Sequence, residues 1–206
     1  MVEQRSPEWF ALRRGKVTAS RVGDILATLR NGSWAASRKN YAAQLVTERL
    51  MGKDPEPFMN EAIQWGIDQE PHAKLAYTNK TGLEVVDVHF VNHPRLVDAG
   101  ASPDGFVGED GLLEIKCPTT ATHIETLLGS DLKEQYRLQM LWQMACTGRQ
   151  WCDFVSFDPR LPEEMSLYIR RYERDEKEIA HVENEIEAFL HEVQNTVDAL
   201  KEKYVQ

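Results

Sequence analysis

Apolar residues recur every three or four positions through the first eighty residues of the chain, which is the period of helices with one buried face. The run from Ser6 to Gly15 predicts a short helix, in which Ser6 is the N-cap and Pro7 lies in the first turn. The same period predicts three further helices, over residues 18–29 with Thr18 or Ser20 as N-cap, over residues 39–51, and over residues 60–80 with interruptions at Gly66 and Pro71. Pro55 and Pro57 predict a loop between the last two.

The pattern changes from helical to alternating after Gly82. Residues 83–91 (LEVVDVHFV) alternate branched and polar side chains, which is typical of a strand. Two more strands are predicted over 104–107 and 112–116, and the glycine-rich turn between them favours a hairpin. The remaining pattern predicts a helix over 130–146, strands over 151–157 and 165–172, and one long charged helix over 175–205. This order predicts an α/β fold, a central mixed β-sheet flanked by helices with a helical N-terminal region.

Composition supports a single domain outside the membrane. The 206 residues are 42 % apolar and 28 % charged, as in ordinary globular proteins. No apolar run approaches the roughly 18 residues of a spanning helix, and the N-terminus lacks the apolar core of a signal peptide. We therefore expect a cytoplasmic protein without membrane contact, whose three cysteines are reduced thiols.

Charge is distributed unevenly along the chain. The net charge is −9, yet residues 1–53 hold ten Lys and Arg against four Asp and Glu, and the rest holds fourteen against twenty-nine. Such asymmetry is compatible with one surface that meets a polyanion and another that repels it. A solvated helical surface explains the same charges equally well.

The most informative segment for function is ASPDGFVGEDGLLEIKCP (residues 101–118), which contains candidate catalytic residues. Asp104 begins one predicted strand, and Glu114 and Lys116 lie two residues apart on the next, so their side chains share a face. A hairpin brings Asp104 beside that face, near the carbonyl oxygen of Ile115. Oxygen ligands of this kind suit Mg²⁺ or Mn²⁺, and a neighbouring lysine can orient a water molecule. A Glu-x-Lys triplet by itself is more often a solvated pair on an edge strand.

The complete set of motifs resembles the PD-(D/E)xK nuclease superfamily. SPDG (102–105) and LEIKCP (113–118) are similar to the pattern of phage lambda-type exonucleases and YqaJ-type viral recombinases. EWFALRRGKVTAS (8–20), WGIDQEP (65–71) and YRLQMLWQM (136–144) are similar to other motifs of that family. The similarity extends from about residue 5 to 175, and it implies a restriction-endonuclease-like core.

The resemblance implies further site residues. Glu70 joins the metal site and Gln139 lies beside it, whereas helical periodicity alone would admit Glu61 or Glu134 equally well. Two metal ions, Mg²⁺ or else Mn²⁺, are implied for each site. The residues implied to bind a 5′-phosphate are Arg13, Thr18 and Ser20, for which spacing alone favours an N-cap and a surface charge.

The function implied is that of a 5′→3′ exodeoxyribonuclease acting on double-stranded DNA ends. It would release 5′-mononucleotides and leave a 3′ single-stranded tail for homologous recombination. The family also implies a ring-shaped homotrimer and suggests a single-strand annealing protein as partner. In one domain over 1–206, residues 1–80 would bind the DNA end, 81–172 would form the catalytic sheet core, and 173–206 the terminal helix.

Two other functions are compatible with the sequence. The same core serves structure-selective or sequence-specific endonucleases, and a decayed site would leave a non-catalytic DNA-binding assembly protein. Other chemistry is weakly indicated: the six histidines do not cluster and are expected mostly at the surface. Cys117 follows Lys116 but is expected to be a small core residue rather than a redox or cluster ligand.

Overall fold

Helices and strands alternate along the computed structural model, which describes residues 4–53 and 59–205. The loop predicted at Pro55 and Pro57 lies outside these residues. The helices are α1 (Pro7–Arg13), α2 (Val22–Leu26), α3 (Ala36–Met51), α4 (Glu61–Thr81), α5 (Thr120–Leu127), α6 (Glu134–Thr147) and α7 (Glu176–Tyr204). The strands are β1 (Val17–Thr18), β2 (Val85–Val86), β3 (Val91–Asn92), β4 (Ala99–Ala101), β5 (Gly105–Val107), β6 (Gly111–Lys116), β7 (Trp151–Phe157) and β8 (Leu167–Glu173).

The strands form two mixed sheets. The larger has the order β2-β5-β6-β7-β8, in which β6 and β7 run parallel and the other neighbours antiparallel. The smaller has the order β1-β4-β3, with β1 parallel to β4. The predicted mixed sheet flanked by helices is thus confirmed.

Hydrophobic side chains are buried on both faces of the larger sheet. Successive residues of β6 point to opposite faces, so Leu112 joins a core with α2, α3, α6 and α7, and Leu113 joins a second core with α4. Since β6 is covered on both sides, it reads as a continuous apolar run interrupted only by Glu114 and Lys116.

Side-chain caps begin helices α1, α4 and α7, and the cap of α1 is the predicted Ser6. The Ser6 hydroxyl accepts from the Trp9 N–H at 3.2 Å, and the Asn60 side chain accepts from the Ile63 N–H at 2.9 Å. The Asp175 carboxylate caps α7. Helix α4 continues without a break through Gly66 and Pro71, so the predicted interruptions there are wrong. No helix in the described ranges combines the length and apolarity needed to cross a lipid bilayer.

The predicted helix over 18–29 is wrong at both ends, because α2 stops at Leu26 and Thr28 forms an isolated antiparallel bridge with Trp34. Val17 and Thr18 form β1, a 3₁₀ turn follows over Ala19–Arg21, and α2 begins only at Val22. Neither proposed N-cap acts as one, because the Thr18 hydroxyl makes no capping bond and Ser20 lies inside the 3₁₀ turn. The parallel pairing of Val17 with Ala99, a contact across eighty residues, overrides the local helical pattern.

The single strand predicted over 83–91 is also wrong. It divides into β2 and β3, which belong to different sheets. Helix α5 and strand β4 were not predicted at all. Strand β4 reads AGA because a side chain at Gly100 would lie 2.3 Å from the Phe90 ring, so close approach excludes anything larger than glycine.

Candidate active site

The hairpin of β5 and β6 places Asp104 beside Glu114. Gly105 pairs with Leu113, and the Asp104 N–H donates to the Leu113 carbonyl at 3.1 Å, so Asp104 lies across from Glu114. One oxygen of the Asp104 carboxylate accepts from the Ile115 N–H at 2.6 Å. This bond fixes the aspartate against the strand that carries the other two residues of the motif.

Glu114 is the centre of a buried hydrogen-bond network. It is 1 % exposed, and its carboxylate accepts from Lys116 Nζ, from Gln139 Nε2 at 2.7 Å and from Gln143 Nε2 at 2.6 Å. Both glutamines come from α6, which packs on the same face of the sheet. Each oxygen of this buried charge is therefore satisfied.

Glu70 reaches the site from α4, on the other face of the sheet. Its carboxylate pairs with Arg5 at 3.1 Å and with Lys74 at 3.2 Å. An open cleft of about 490 Å³ is lined by Glu70, Asp104, Glu114, Lys116 and Gln139, together with Ile115. All of the predicted catalytic residues thus meet in one cleft.

The alternatives that periodicity admits lie elsewhere. Glu61 is exposed in the first turn of α4. Glu134 is exposed and pairs with Arg137 in the first turn of α6. Neither residue lines the cleft that contains Asp104.

The cleft concentrates negative charge. Burial and repulsion from Glu114 and Glu70 raise the pKa of Asp104 well above its usual value. Burial alone would lower the pKa of Lys116, but the charges of Glu114 and Asp104 outweigh it and the net pKa is raised. Burial, with Glu70 and Asp104 nearby, raises the pKa of Cys117 to about 12, so this cysteine is a protonated thiol at neutral pH. Such a site favours a cation.

The donor set fits a hard divalent ion. Asp104, Glu114, Glu70 and the Ile115 carbonyl supply oxygen donors of the kind that a hard divalent ion prefers, and burial and repulsion among the carboxylates raise the pKa of Asp104. Across the described residues, however, no three His, Cys, Asp or Glu side chains are already drawn together as ligands of one ion. The carboxylates of Glu114 and Glu70 are instead bonded to basic and amide side chains, with which a cation would compete.

Arg13 lies next to the motif that carries Asp104. Its Nη1 donates to Ser102 Oγ at 2.9 Å, and its guanidinium stacks 4.0 Å from the centre of the Trp9 ring. Burial lowers the pKa of Arg13 to about 10, which leaves it charged at neutral pH. Arg13 is thus a charged group bonded to Ser102, which lies two residues before Asp104 in the chain.

Thr18 and Ser20 are less closely joined to Arg13. Thr18 is buried on β1, where its N–H donates to the Tyr41 hydroxyl at 3.1 Å. Ser20 is exposed and lines a neighbouring cleft that also contains Lys116 and Gln139. Among the described residues, no hydrogen bond joins Arg13 to either hydroxyl.

Sequence reasoning missed three contributors to the site. Gln143 lies one turn after Gln139, so helical spacing from a residue already selected could have found it. Arg5 and Ser102 carry no comparable signal, because only the tertiary fold brings them to Glu70 and Arg13.

Two histidines are buried rather than exposed. His93 stacks on Trp142 with ring centres 4.7 Å apart and bonds Glu183, and His123 bonds Ser156. Both are satisfied core residues, whereas most of the other histidines (His72, His181 and His191) are exposed as expected. Cys117 is partly buried beside the site, and the other two cysteines are buried.

Comparison with known proteins gives a consistent result. Residues 8–150 match the family model described as the YqaJ-like viral recombinase domain. The fold is similar to an alkaline exonuclease (LHK-Exo) from Laribacter hongkongensis, with 50 % identity, a TM-score of 0.90 and coverage of 96 % of this chain and 97 % of the other. The same values hold for LHK-Exo in complex with dAMP.

A more distant similarity concerns the fold alone. A phage-related exonuclease from Haemophilus somnus 129PT shares 16 % identity, with a TM-score of 0.65 and coverage of 91 % of this chain and 96 % of the other. No curated protein sequence matches the chain.

Proposed function

The chain belongs to the YqaJ-like viral recombinase family, and on that premise we propose that it is a metal-dependent exodeoxyribonuclease. It degrades double-stranded DNA from its ends in the 5′→3′ direction, releases 5′-mononucleotides and leaves a 3′ single-stranded tail for recombination. The observation that carries this proposal is the convergence of Glu70, Asp104, Glu114, Lys116 and Gln139 in one cleft.

The relatives support the same activity. A protein that is 50 % identical over nearly its whole length is described as an alkaline exonuclease, and it was crystallised with dAMP. A deoxynucleoside monophosphate is the product expected when terminal nucleotides are released one at a time. This favours an exonuclease over an endonuclease on the same core, and over a protein without activity.

Each residue of the cleft has a proposed role that follows from its chemistry. Asp104, Glu114 and the Ile115 carbonyl would hold one Mg²⁺ (or Mn²⁺), and Glu70 would contribute to a second. Such ions would supply polarisation of a phosphoryl oxygen and a lowered pKa for a bound water molecule. Lys116, whose Nζ lies 3.5 Å from Gln139 Oε1, orients the attacking water and offsets the charge that develops on the phosphate.

Directionality rests on Arg13. A guanidinium offers two parallel donors to a phosphate, and this one is held near Asp104 through Ser102. A terminal 5′-phosphate bound by Arg13 would set the first phosphodiester over the carboxylates. Thr18 and Ser20 contribute hydroxyl donors from the adjoining β1 segment and 3₁₀ turn.

The test compares linear duplexes with 5′-phosphate and 5′-hydroxyl ends, each labelled at one strand terminus. Wild type should release the 5′ label first and should prefer the phosphate. Arg13→Ala should lose most of that preference, while Arg30→Ala, also in the N-terminal region, should keep it. Release of the 3′ label first would contradict the proposed direction. Equal rates on 5′-phosphate and 5′-hydroxyl duplexes would contradict the proposed phosphate site.

A further inference from the structure

Arg5 occupies a backbone conformation that its side chain does not favour. Its φ is 69°, the sole left-handed non-glycine residue in the described parts of the chain. A glycine adopts this conformation readily, whereas an arginine does so at a cost. Strained residues of this kind cluster at functional sites, where their side chains often have a role.

The segment that carries Arg5 is fastened to the catalytic motif. Gln4 Nε2 donates to the Val88 carbonyl and to the Pro103 carbonyl, both at 3.2 Å. Pro103 directly precedes Asp104, so Gln4 ties the N-terminal segment to the start of the β5–β6 hairpin. The position of Arg5 is therefore set by the same loop that positions the catalytic aspartate.

The guanidinium of Arg5 lies where two cavities meet. It lines the catalytic cleft, and it also lines a second cavity of about 380 Å³ whose wall likewise includes Glu70. That second cavity contains Lys74 and His89 as further basic groups, with Asp87 as the additional acid. A strand of DNA leaving the catalytic cleft in this direction would pass Arg5.

Arg5 and Lys74 differ in how firmly they hold Glu70. Lys74 bonds both Glu70 and Asp87, the latter at 2.9 Å, and its side chain is 22 % exposed. Arg5 is 43 % exposed, and within the described residues its one ion-pair partner is Glu70. An exposed single pair of this kind is weak, so Arg5 can exchange one anion for another.

We propose that Arg5 binds a phosphate of the DNA strand in the catalytic cleft, and that its pair with Glu70 holds it in place until DNA enters. The inference rests on the proposed nuclease function. Arg5 leaves the Glu70 carboxylate for the phosphate, where its planar fork can make two parallel hydrogen bonds. Glu70 is then free of one competing cation, while Lys74 remains to position it.

The test uses Arg5→Gly, which removes the guanidinium and suits the φ of 69°. Its thermal unfolding midpoint should equal or exceed that of wild type, which separates loss of function from loss of fold. Binding is measured with a fluorescent 5′-phosphorylated duplex in Ca²⁺ buffer over a range of salt concentrations. We expect about tenfold weaker binding, equivalent to about 1.4 kcal/mol, and a salt slope reduced by about 0.7 to 0.9, the value for one lost phosphate contact.

Two controls make the result specific. Lys74→Met also removes a positive charge that pairs with Glu70, and it should leave the salt dependence of DNA binding unchanged. Mn²⁺ titration without DNA should show that Arg5→Gly binds the ion at least as well as wild type, because one competitor for Glu70 is gone. Arg5→Lys should fall between wild type and Arg5→Gly.

The possible results separate cleanly. An unchanged slope and affinity in Arg5→Gly, or an equal loss in Lys74→Met, would overturn the role of Arg5 while wild-type nuclease activity leaves the proposed function intact. Reduced Mn²⁺ binding with normal DNA binding would make Arg5 a positioning residue for Glu70 alone. A wild type that neither cleaves nor binds linear duplex would overturn the nuclease proposal and the inference together.

Discussion

Asp104 shows how a single residue can serve function at the expense of stability. Its carboxylate is buried near Glu114 and Glu70, and these surroundings raise its pKa well above the usual value. In the folded protein without metal, ionised Asp104 is therefore unfavourable. This tension is typical of residues whose charge is kept for a ligand.

Asp104→Asn should raise stability in EDTA, and the gain should grow with pH. Because the folded-state pKa lies above the unfolded value, the native state binds the proton more tightly, and this stabilisation is complete below the unfolded pKa and lost as pH rises through the folded one. We expect a gain of about 1–3 kcal/mol above that range. Urea unfolding of both proteins between pH 4 and 9 measures it. A gain independent of pH would contradict the assignment of the shift to Asp104.

At the scale of elements, sequence predicted the long and regular parts well. Strand β7 spans the predicted residues 151–157, because a run rich in aromatic and branched residues between polar turns is a local signal. Strand β1 and the division of 83–91 escaped prediction, since two-residue strands are defined by partners such as Ala99 and Ala101, distant in the chain. Motifs predicted the carboxylates and the lysine of the candidate site. Gln143 could have been predicted from its helical spacing to Gln139, whereas Arg5 carries no such signal because only the packed structure brings it to Glu70.

Helix α7 provides a prediction at this scale. The Asp175 carboxylate accepts from the N–H groups of Lys177 at 2.9 Å and Glu178 at 3.0 Å. Asp175→Ala should lower the free energy of unfolding by about 1 kcal/mol. Asp198→Ala, an exposed acid late in the same helix, should change it by less than about 0.5 kcal/mol. Equal effects in urea denaturation would show that the cap does not stabilise α7.

At the scale of the whole molecule, the charge split of the sequence is partly neutralised by folding. Arg38 is buried and pairs with Glu192 of α7 at 2.8 Å, and Arg49 pairs with Asp98 at 3.0 Å. Several N-terminal cations are therefore matched by acids from the rest of the chain. The basic surface left for DNA is smaller than the sequence count suggests, so a second source of retention on DNA is needed.

A ring of three chains around the DNA would supply this retention. We propose a homotrimer in which basic N-terminal segments line a DNA channel and acidic surface faces outward. We also propose that a single-strand annealing protein binds the 3′ tail that the enzyme would produce. Light scattering on a size-exclusion column should give a mass close to three times 23.6 kDa. A strictly monomeric enzyme at working concentration would contradict the ring.

The most direct test of the central claim compares one DNA sequence as a linear duplex and as a covalently closed circle. With Mg²⁺, the linear form should release mononucleotides and become single-stranded while the circle persists, and EDTA should stop the reaction. Asp104→Ala and Glu114→Ala should be inactive on both forms, and Lys116→Ala nearly so. Cleavage of the closed circle, or degradation of the linear form that survives EDTA or loss of Asp104, would contradict a metal-dependent exonuclease.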